Sequence, residues 1–333
     1  MPQSCSRRCL VGAAAVLVLG RASGARAKDG YPRKPVTVIV PYAPGGQGDV
    51  FARLVGEPLA RALGQPVLVD NRPGASGAVG SRLAVRAPAD GYTLLMGQTG
   101  EIAINGAAMR NPGYDALRDL RAVALVGDAP LVLAVPAASP WQSLADLIQA
   151  ARAQPGSVAY ASSGTATPGH LAAAELAART GTQMTHIPYK GAGQAITDLI
   201  GAQVQFFFAS ASSIIGHVKG GKVRALAVSK PAHVPALSAA LPSGVPAVSD
   251  TMPGFAFSLW GGYFAPRGTP DAVVERLSGE INRIIAAGPL RERLEAEGSV
   301  VKPGTPQGFD AFVRAEVQKY ARQVLAAGVM LES

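Results

Sequence analysis

The chain has 333 residues, 48% of them apolar and 16% charged, with 31 basic residues against 22 acidic ones and a formal charge of +9. That length suffices for two domains of ordinary size, and no low-complexity stretch or short-period repeat breaks it up. No run of like charge with interleaved aromatics follows the N-terminal segment, which argues against a nucleic-acid partner.

The first element in chain order is an N-terminal leader, residues 1–27. A basic start (Arg7, Arg8), an apolar run over residues 9–20 and the site Ala25-Arg26-Ala27 together read as a secretory signal peptide. The apolar run is too short for a membrane-spanning helix, which needs roughly 20 residues. Ser6-Arg7-Arg8 is similar to a twin-arginine signal and equally suits an ordinary n-region, so the export route, Sec or Tat, stays open. Cleavage after Ala27 would leave 306 residues and remove both cysteines, Cys5 and Cys9, with four arginines, lowering the formal charge to +5. The exported chain would then carry no disulfide, thiolate nucleophile or Cys-ligated metal. His186, His217 and His233 show no ligand-like spacing, so no metal site and no cofactor are expected.

After the leader, Val36-Thr-Val-Ile-Val40 is a continuous β-branched run, as a buried parallel strand requires. A glycine loop over residues 41–48 opens a helix over 49–63 that stops at Gly64. Asp49 is placed to cap that helix, with reception of a ligand ammonium as its functional alternative. A second strand, 67–69, leads through Asp70-Asn-Arg-Pro-Gly-Ala-Ser-Gly77 into another helix. Third and fourth strands are expected at 92–96 and 123–126. The same order returns in the second half: strand 158–160, loop 161–169, helix 170–179, strand 185–190, helix 194–200, then strands 204–208 and 223–228. The segments after each fourth strand match as well, 131–136 before helix 144–152 and 261–266 before helix 271–287.

Strands alternating with helices across short glycine-rich turns imply α/β architecture with parallel sheets covered on both faces. Two such units predict two doubly wound lobes: residues 28–127 plus 240–333, and residues 128–239. The proline-rich stretch 231–253 reads as the return linker. In open parallel sheets a ligand sits beyond the carboxyl ends of the strands. Glycine loops there let backbone N–H groups approach a ligand, and each helix start adds roughly half a positive charge, which suits an anion. Hydroxyls of Ser76, Ser162, Ser163, Thr165 and Thr167 can add hydrogen bonds. His170, at a helix start, can donate to a ligand oxygen or simply pack. Lys190 can attract an anion or face solvent, and Trp260 and Phe206 to Phe208 read as core.

Enzyme signatures are weaker. Gly45-Gly46-Gln47-Gly48 lacks the dinucleotide order, and no Walker A sequence or nucleophile elbow occurs. An exported hydrolase on the same two-lobed scaffold is the competing reading, because triad members need not adjoin in sequence. A DNA-binding regulator would need a helical segment ahead of Tyr31, where the leader stands instead.

Several motifs together resemble one family. They are Tyr31-Pro-x-Lys-Pro-Val, Pro44-Gly-Gly-x-x-Asp49 with Ala52-Arg53, Val69-Asp-Asn-Arg-Pro-Gly-Ala-x-Gly77, and Asp90-Gly-Tyr-Thr-Leu-Leu95. Ser162-Ser-Gly-x-x-x-x-x-His170-Leu171, Pro188-Tyr-Lys-Gly191 and Lys222-Val-Arg-Ala-Leu-Ala-Val228 complete the set. Across nearly the whole exported chain these resemble the Bug family of extracytoplasmic receptors that serve tripartite tricarboxylate transporters. The resemblance implies a type II periplasmic-binding-protein fold, two lobes joined by two crossover strands with a ligand cleft between, closing by hinge motion. It implies a periplasmic monomer that captures a small carboxylate for membrane transporter subunits. Family members hold a carboxylate through backbone N–H groups, hydroxyls and waters; here those roles would fall to Tyr42, Gly45, Gly46, Ala75, Ser76, Ser162, Gly164, Thr165, Thr167 and His170. Asp49, Thr99, Tyr189, Gly191 and Ser210 complete the candidate ligand contacts. Some relatives place an aspartate after the third strand of the second lobe. Phe208-Ala209-Ser210-Ala211 has no acid there, which favours a carboxylate without an ammonium group.

Overall fold

The computed structural model describes residues 30–229, 241, 245–296 and 298–330. The leader and most of the proline-rich return segment lie outside the described residues. Strand β1 (Val36–Val40) pairs in parallel with β2 (Val67–Asn71) on one side and β3 (Thr93–Gln98) on the other. Strand β5 (Ala159–Ser162) sits in the same way between β6 (Thr185–Pro188) and β7 (Phe206–Ser210). The two halves thus repeat one parallel core, as the sequence echo implies.

The remaining strands depart from an all-parallel expectation. β4 runs unbroken over Leu120–Pro136, joining the two runs expected as separate strands. Gly127-Asp128-Ala129-Pro130 reads as a turn, yet it continues the extended chain. β9 (Ser258–Pro266) inserts antiparallel between β3 and the first part of β4. In the other half, the second part of β4 lies antiparallel between β7 and β8 (Val223–Val228). The matched segments 131–136 and 261–266 are therefore exchanged, each completing the sheet begun by the opposite half. The path is β2-β1-β3-β9-β4-β7-β5-β6, with β8 and the short β10 (Val300–Val301) also on β4. Two lobes joined through crossover strands follow directly.

Helices cover the sheets: α1 (Gln47–Leu63), α2 (Ala78–Val85), α3 (Leu144–Ala153), α4 (Pro168–Thr180), α5 (Ala192–Ile200) and α6 (Ala211–Lys219), then α7 (Asp271–Ala286), α8 (Gly288–Ala296) and α9 (Pro306–Ala327). One face of the first sheet packs Val36, Val38 and Val40 against Phe51, Val55 and Leu59 of α1 and Leu277 and Ile281 of α7. A second apolar cluster runs from Leu95 and Trp260 through Tyr320 of α9 to Leu171 and Phe208, spanning both lobes. Trp260 and Phe206 to Phe208 are fully buried, as expected of core residues. At about 25 cal/mol per Å² of apolar surface, such side chains are what hold the fold.

Candidate functional site

Each lobe presents two strand-to-helix loops to the other, and they meet crosswise. The loop after β1 touches the loop after β6: the Ala43 N–H donates to the Lys190 carbonyl at 3.2 Å. The loop after β2 touches the loop after β5: the Ser76 hydroxyl donates to the Thr165 carbonyl at 2.7 Å. The lobes are in a closed arrangement. Between them lies a cavity of about 40 Å³, room for only a few water molecules.

Gly46 and Gln47 at the start of α1, Thr167, Pro168 and Gly169 at the start of α4, Ala192 at the start of α5 and Ser210 just before α6 all line this cavity. None of these four helices has a side-chain cap: Gly46, Thr167, Gly191 and Ser210 occupy their N-cap positions with no side-chain bond to a first-turn backbone N–H, the Ser210 hydroxyl bonding Ser213 instead. Some helix starts elsewhere are closed by side chains, α3 by Ser143, α9 by Thr305 and the short helix Ala116–Asp119 by Asp115, whereas α2 and α7 also begin without one. Among the described residues no charged side chain lines the cavity; the rest of its wall is Tyr42, Gln98, Leu131, Ser163, Phe208 and Leu259. Free N–H groups and four positive dipole ends at one uncharged cavity have the chemistry that suits an anion.

The candidate residues divide by position. Tyr42, Gly46, Thr167 and Ser210 line the cavity. Ala75, Ser76, Gly164, Thr165 and Tyr189 line a neighbouring depression that shares Tyr42 and Ser163 with it. Gly45 and Gly191 sit at loop-to-loop contacts: a Cβ on Gly45 would lie 3.4 Å from Gly193, and one on Gly191 would lie 3.0 Å from Ala43. The other four act behind the surface. Asp49 does not cap α1, which begins two residues earlier with Gly46 as N-cap. Its carboxylate instead accepts from the Gly45 N–H, Arg53 and Asn71. Burial works to raise that carboxyl, yet these hydrogen bonds and the Arg53 charge leave it below its ordinary range. These bonds tie it to its own lobe, and Asp49 is buried and not among the residues lining the cavity. The fully buried Thr99 hydroxyl accepts from the Trp260 N–H at 2.9 Å, pinning β9 rather than facing the cavity.

Ser162 and His170 lock the loop after β5. Ser162 Oγ donates to the Gly164 carbonyl at 2.8 Å, so at 2.7 Å from His186 Nε2 it must accept that ring's proton. His170 Nδ1 accepts from the Ala166 N–H at 3.0 Å, which places its own proton on Nε2. The two rings stack with centroids 3.8 Å apart. Burial pushes His170 down to about 3, with His186 adding to the effect, and His186 down to about 4, so both stay neutral. His186 has a structural task that its sequence spacing did not reveal.

Sequence reasoning also missed Glu101. It lies in the π-helical segment Gly100–Ile104, where Oε1 accepts from the Gln98 N–H at 2.5 Å and Oε2 stands 2.9 Å from the Tyr42 hydroxyl. Tyr42 is in turn 3.2 Å from the Ser76 carbonyl, which also accepts from Asn105 at 3.0 Å. Ala75 and Ser76 are held at φ 45° and 49°, each costing on the order of 1 kcal/mol for an L-residue. This network fixes the carbonyl of the residue whose hydroxyl reaches across the cleft. Burial raises the Glu101 carboxyl to about 8, outweighing its hydrogen bonds. A protonated Glu101 donates to Tyr42, which then donates to Ser76. Folding thus takes up a proton between the ordinary carboxylate range and about pH 8, and stability falls as pH rises through that window. Glu101→Gln should flatten this slope and leave the variant more stable than the parent at pH 8. Urea melts of both proteins at pH 5 and 8 measure it; a difference between them that does not change with pH would refute the assignment.

A two-lobed α/β fold with crossover strands and a cleft ringed by helix starts defines the class: a solute-binding receptor of the periplasmic type. Residues 51–329 match the family described as "Tripartite tricarboxylate transporter family receptor". The chain belongs to that family. It is 35% identical to protein BugT of Bordetella pertussis over 91% of this chain and 92% of that one. Among solved structures it is similar to R. palustris Rpa4515 with adipate, at TM-score 0.86 and 31% identity over 90% of this chain and 99% of the other. MatC of Rhodopseudomonas palustris with bound malate follows at TM-score 0.81 and 27% identity over 88% and 100%. No helix among the described residues is long and apolar enough to cross a membrane.

Proposed function

We propose that this protein is an exported, periplasmic receptor that captures a small carboxylate by hinge closure and delivers it to a membrane transporter, without catalysing a reaction. The observation that carries this reading is the convergence of four uncapped helix starts on one uncharged cavity. The adipate and malate named for two similar structures support the same ligand class. The leader would direct export and be removed. The lobes would comprise residues 28–127 with 240–333, and 128–239, hinged where β4 crosses between them. Tyr42, Gly46, Thr167 and Ser210 would face the ligand. Ala75, Ser76, Gly164, Thr165 and Tyr189 would close its outer side, and Gly45, Asp49, Thr99, Ser162, His170 and Gly191 would hold those loops.

A calorimetric panel of mono-, di- and tricarboxylates against the purified chain lacking residues 1–27 tests this. Binding of at least one acid at micromolar Kd or tighter, with the acid recovered unchanged, is expected. No binding across the panel would refute the receptor reading, and chemical turnover would favour the hydrolase instead.

A further inference from the structure

Among the described residues, Gln47 is the one cavity-lining side chain with a fully buried polar atom left without a partner. It is 1% exposed, its Nε2 donates to the Leu259 carbonyl at 3.0 Å, and its Oε1 has no partner. The carbonyl fixes the amide orientation: turning it over would set two oxygens against each other and leave both unsatisfied. A residue of the cavity wall thus carries a buried acceptor without a partner, beside helix starts that offer donors. A buried acceptor left unpaired is costly, and a site built this way discriminates against ligands that cannot fill it. Two ligand groups could donate to it. An ammonium would also need a counter-charge, but Asp49 is committed to Arg53 and Asn71, Glu101 stands behind Tyr42, and Ser210 occupies the strand end. A hydroxyl needs none.

We propose that Gln47 is a specificity-determining residue and that the ligand is a carboxylate bearing a hydroxyl, received by Gln47 Oε1. This rests on the carboxylate-receptor reading. Helix starts hold the carboxylate, and Gln47 selects among acids by the neutral donor on their chain.

The test is calorimetry with matched acids differing by one group: succinate, malate and aspartate; glutarate and 2-hydroxyglutarate; butyrate and 3-hydroxybutyrate. For the pair that binds best, the hydroxylated acid should bind at least about tenfold tighter, the order expected for filling or orphaning a buried polar group. Aspartate should gain nothing over succinate. In Gln47→Met, similar in length and without the acceptor, the preference should fall to within about threefold. Equal affinity of plain and hydroxylated acids for the parent protein, which needs no variant, would overturn the inference while the receptor reading stands. A preference that survives in Gln47→Met would also overturn it. Failure of every acid to bind removes the receptor reading and this inference together.

Discussion

Gly46→Asp should abolish carboxylate binding while leaving the protein at least as stable as the parent. Gly46 is the N-cap of α1, with φ −87° and ψ 171°, an extended geometry that aspartate favours at this position. A Cβ added there meets only the Ala192 Cβ at 3.8 Å, an ordinary contact. The new carboxylate would cap α1, gaining a few tenths of a kcal/mol over glycine as a cap and about 0.3–1 kcal/mol from the helix dipole. It would do so by taking the N–H groups offered to the ligand. Two carboxylates about 4 Å apart also repel by about 4 kcal/mol at an effective dielectric near 20. A loss of affinity of roughly 100-fold or more is expected even after solvent screening. Calorimetry and a thermal melt measure the two halves; undiminished binding would remove the start of α1 from the site.

Gly193→Ala should separate folding from closure. Gly193 is the second residue of α5, and a Cβ there would sit 2.5 Å from the Pro44 carbonyl oxygen of the opposite lobe. That neighbour is backbone and cannot swing aside. Within α5 alone, alanine is favoured over glycine by up to about 1 kcal/mol. The variant should therefore melt no lower than the parent, bind the acid at least about tenfold more weakly, and fail to compact on ligand addition in small-angle scattering. Gly46→Ala is the control, because its added Cβ makes only an ordinary contact with the Ala192 Cβ at 3.8 Å, and it should close normally. Parent-like compaction in Gly193→Ala would show that closure does not bring these loops together.

Much of this arrangement was legible in the chain. The β-branched run at Val36–Val40 and the apolar run at Val223–Val228 mark buried strands, and Gly64 and Gly181 end α1 and α4 in left-handed backbone. The duplicated plan led to an expectation of parallel sheets in two matched units, and each half does hold a parallel trio. What stayed hidden depended on distant partners. Gly127-Asp128-Ala129-Pro130 has turn chemistry, yet pairing with β9 and β10 holds it extended. Asp49 carries a capping signature, but Arg53 and Asn71 draw its carboxylate away from that role.

The site shows the same division. Gly46 and Thr167 could be placed in the loops that open α1 and α4, although both helices begin two residues earlier than expected, at Gln47 and Pro168. Thr99 could not be told from a ligand contact, because its partner, the Trp260 N–H, lies 161 residues away. Gln47 and Glu101 were passed over as ordinary polar residues. Only packing shows that one is an orphaned acceptor and the other a buried acid. Ser162 and His186 resemble half of a catalytic set in isolation, whereas full burial of Ser162 and its bond to the Gly164 carbonyl make them a loop lock.

The most direct test of the central claim is a crystal structure of the mature protein grown with its tightest-binding acid. The account predicts a carboxylate between the lobes, its oxygens within hydrogen-bond distance of N–H groups at the starts of α1 and α4, and no lysine or arginine side chain touching it. An acid held by a basic side chain, or seated away from the cavity bounded by Gly46, Thr167 and Ser210, would contradict it.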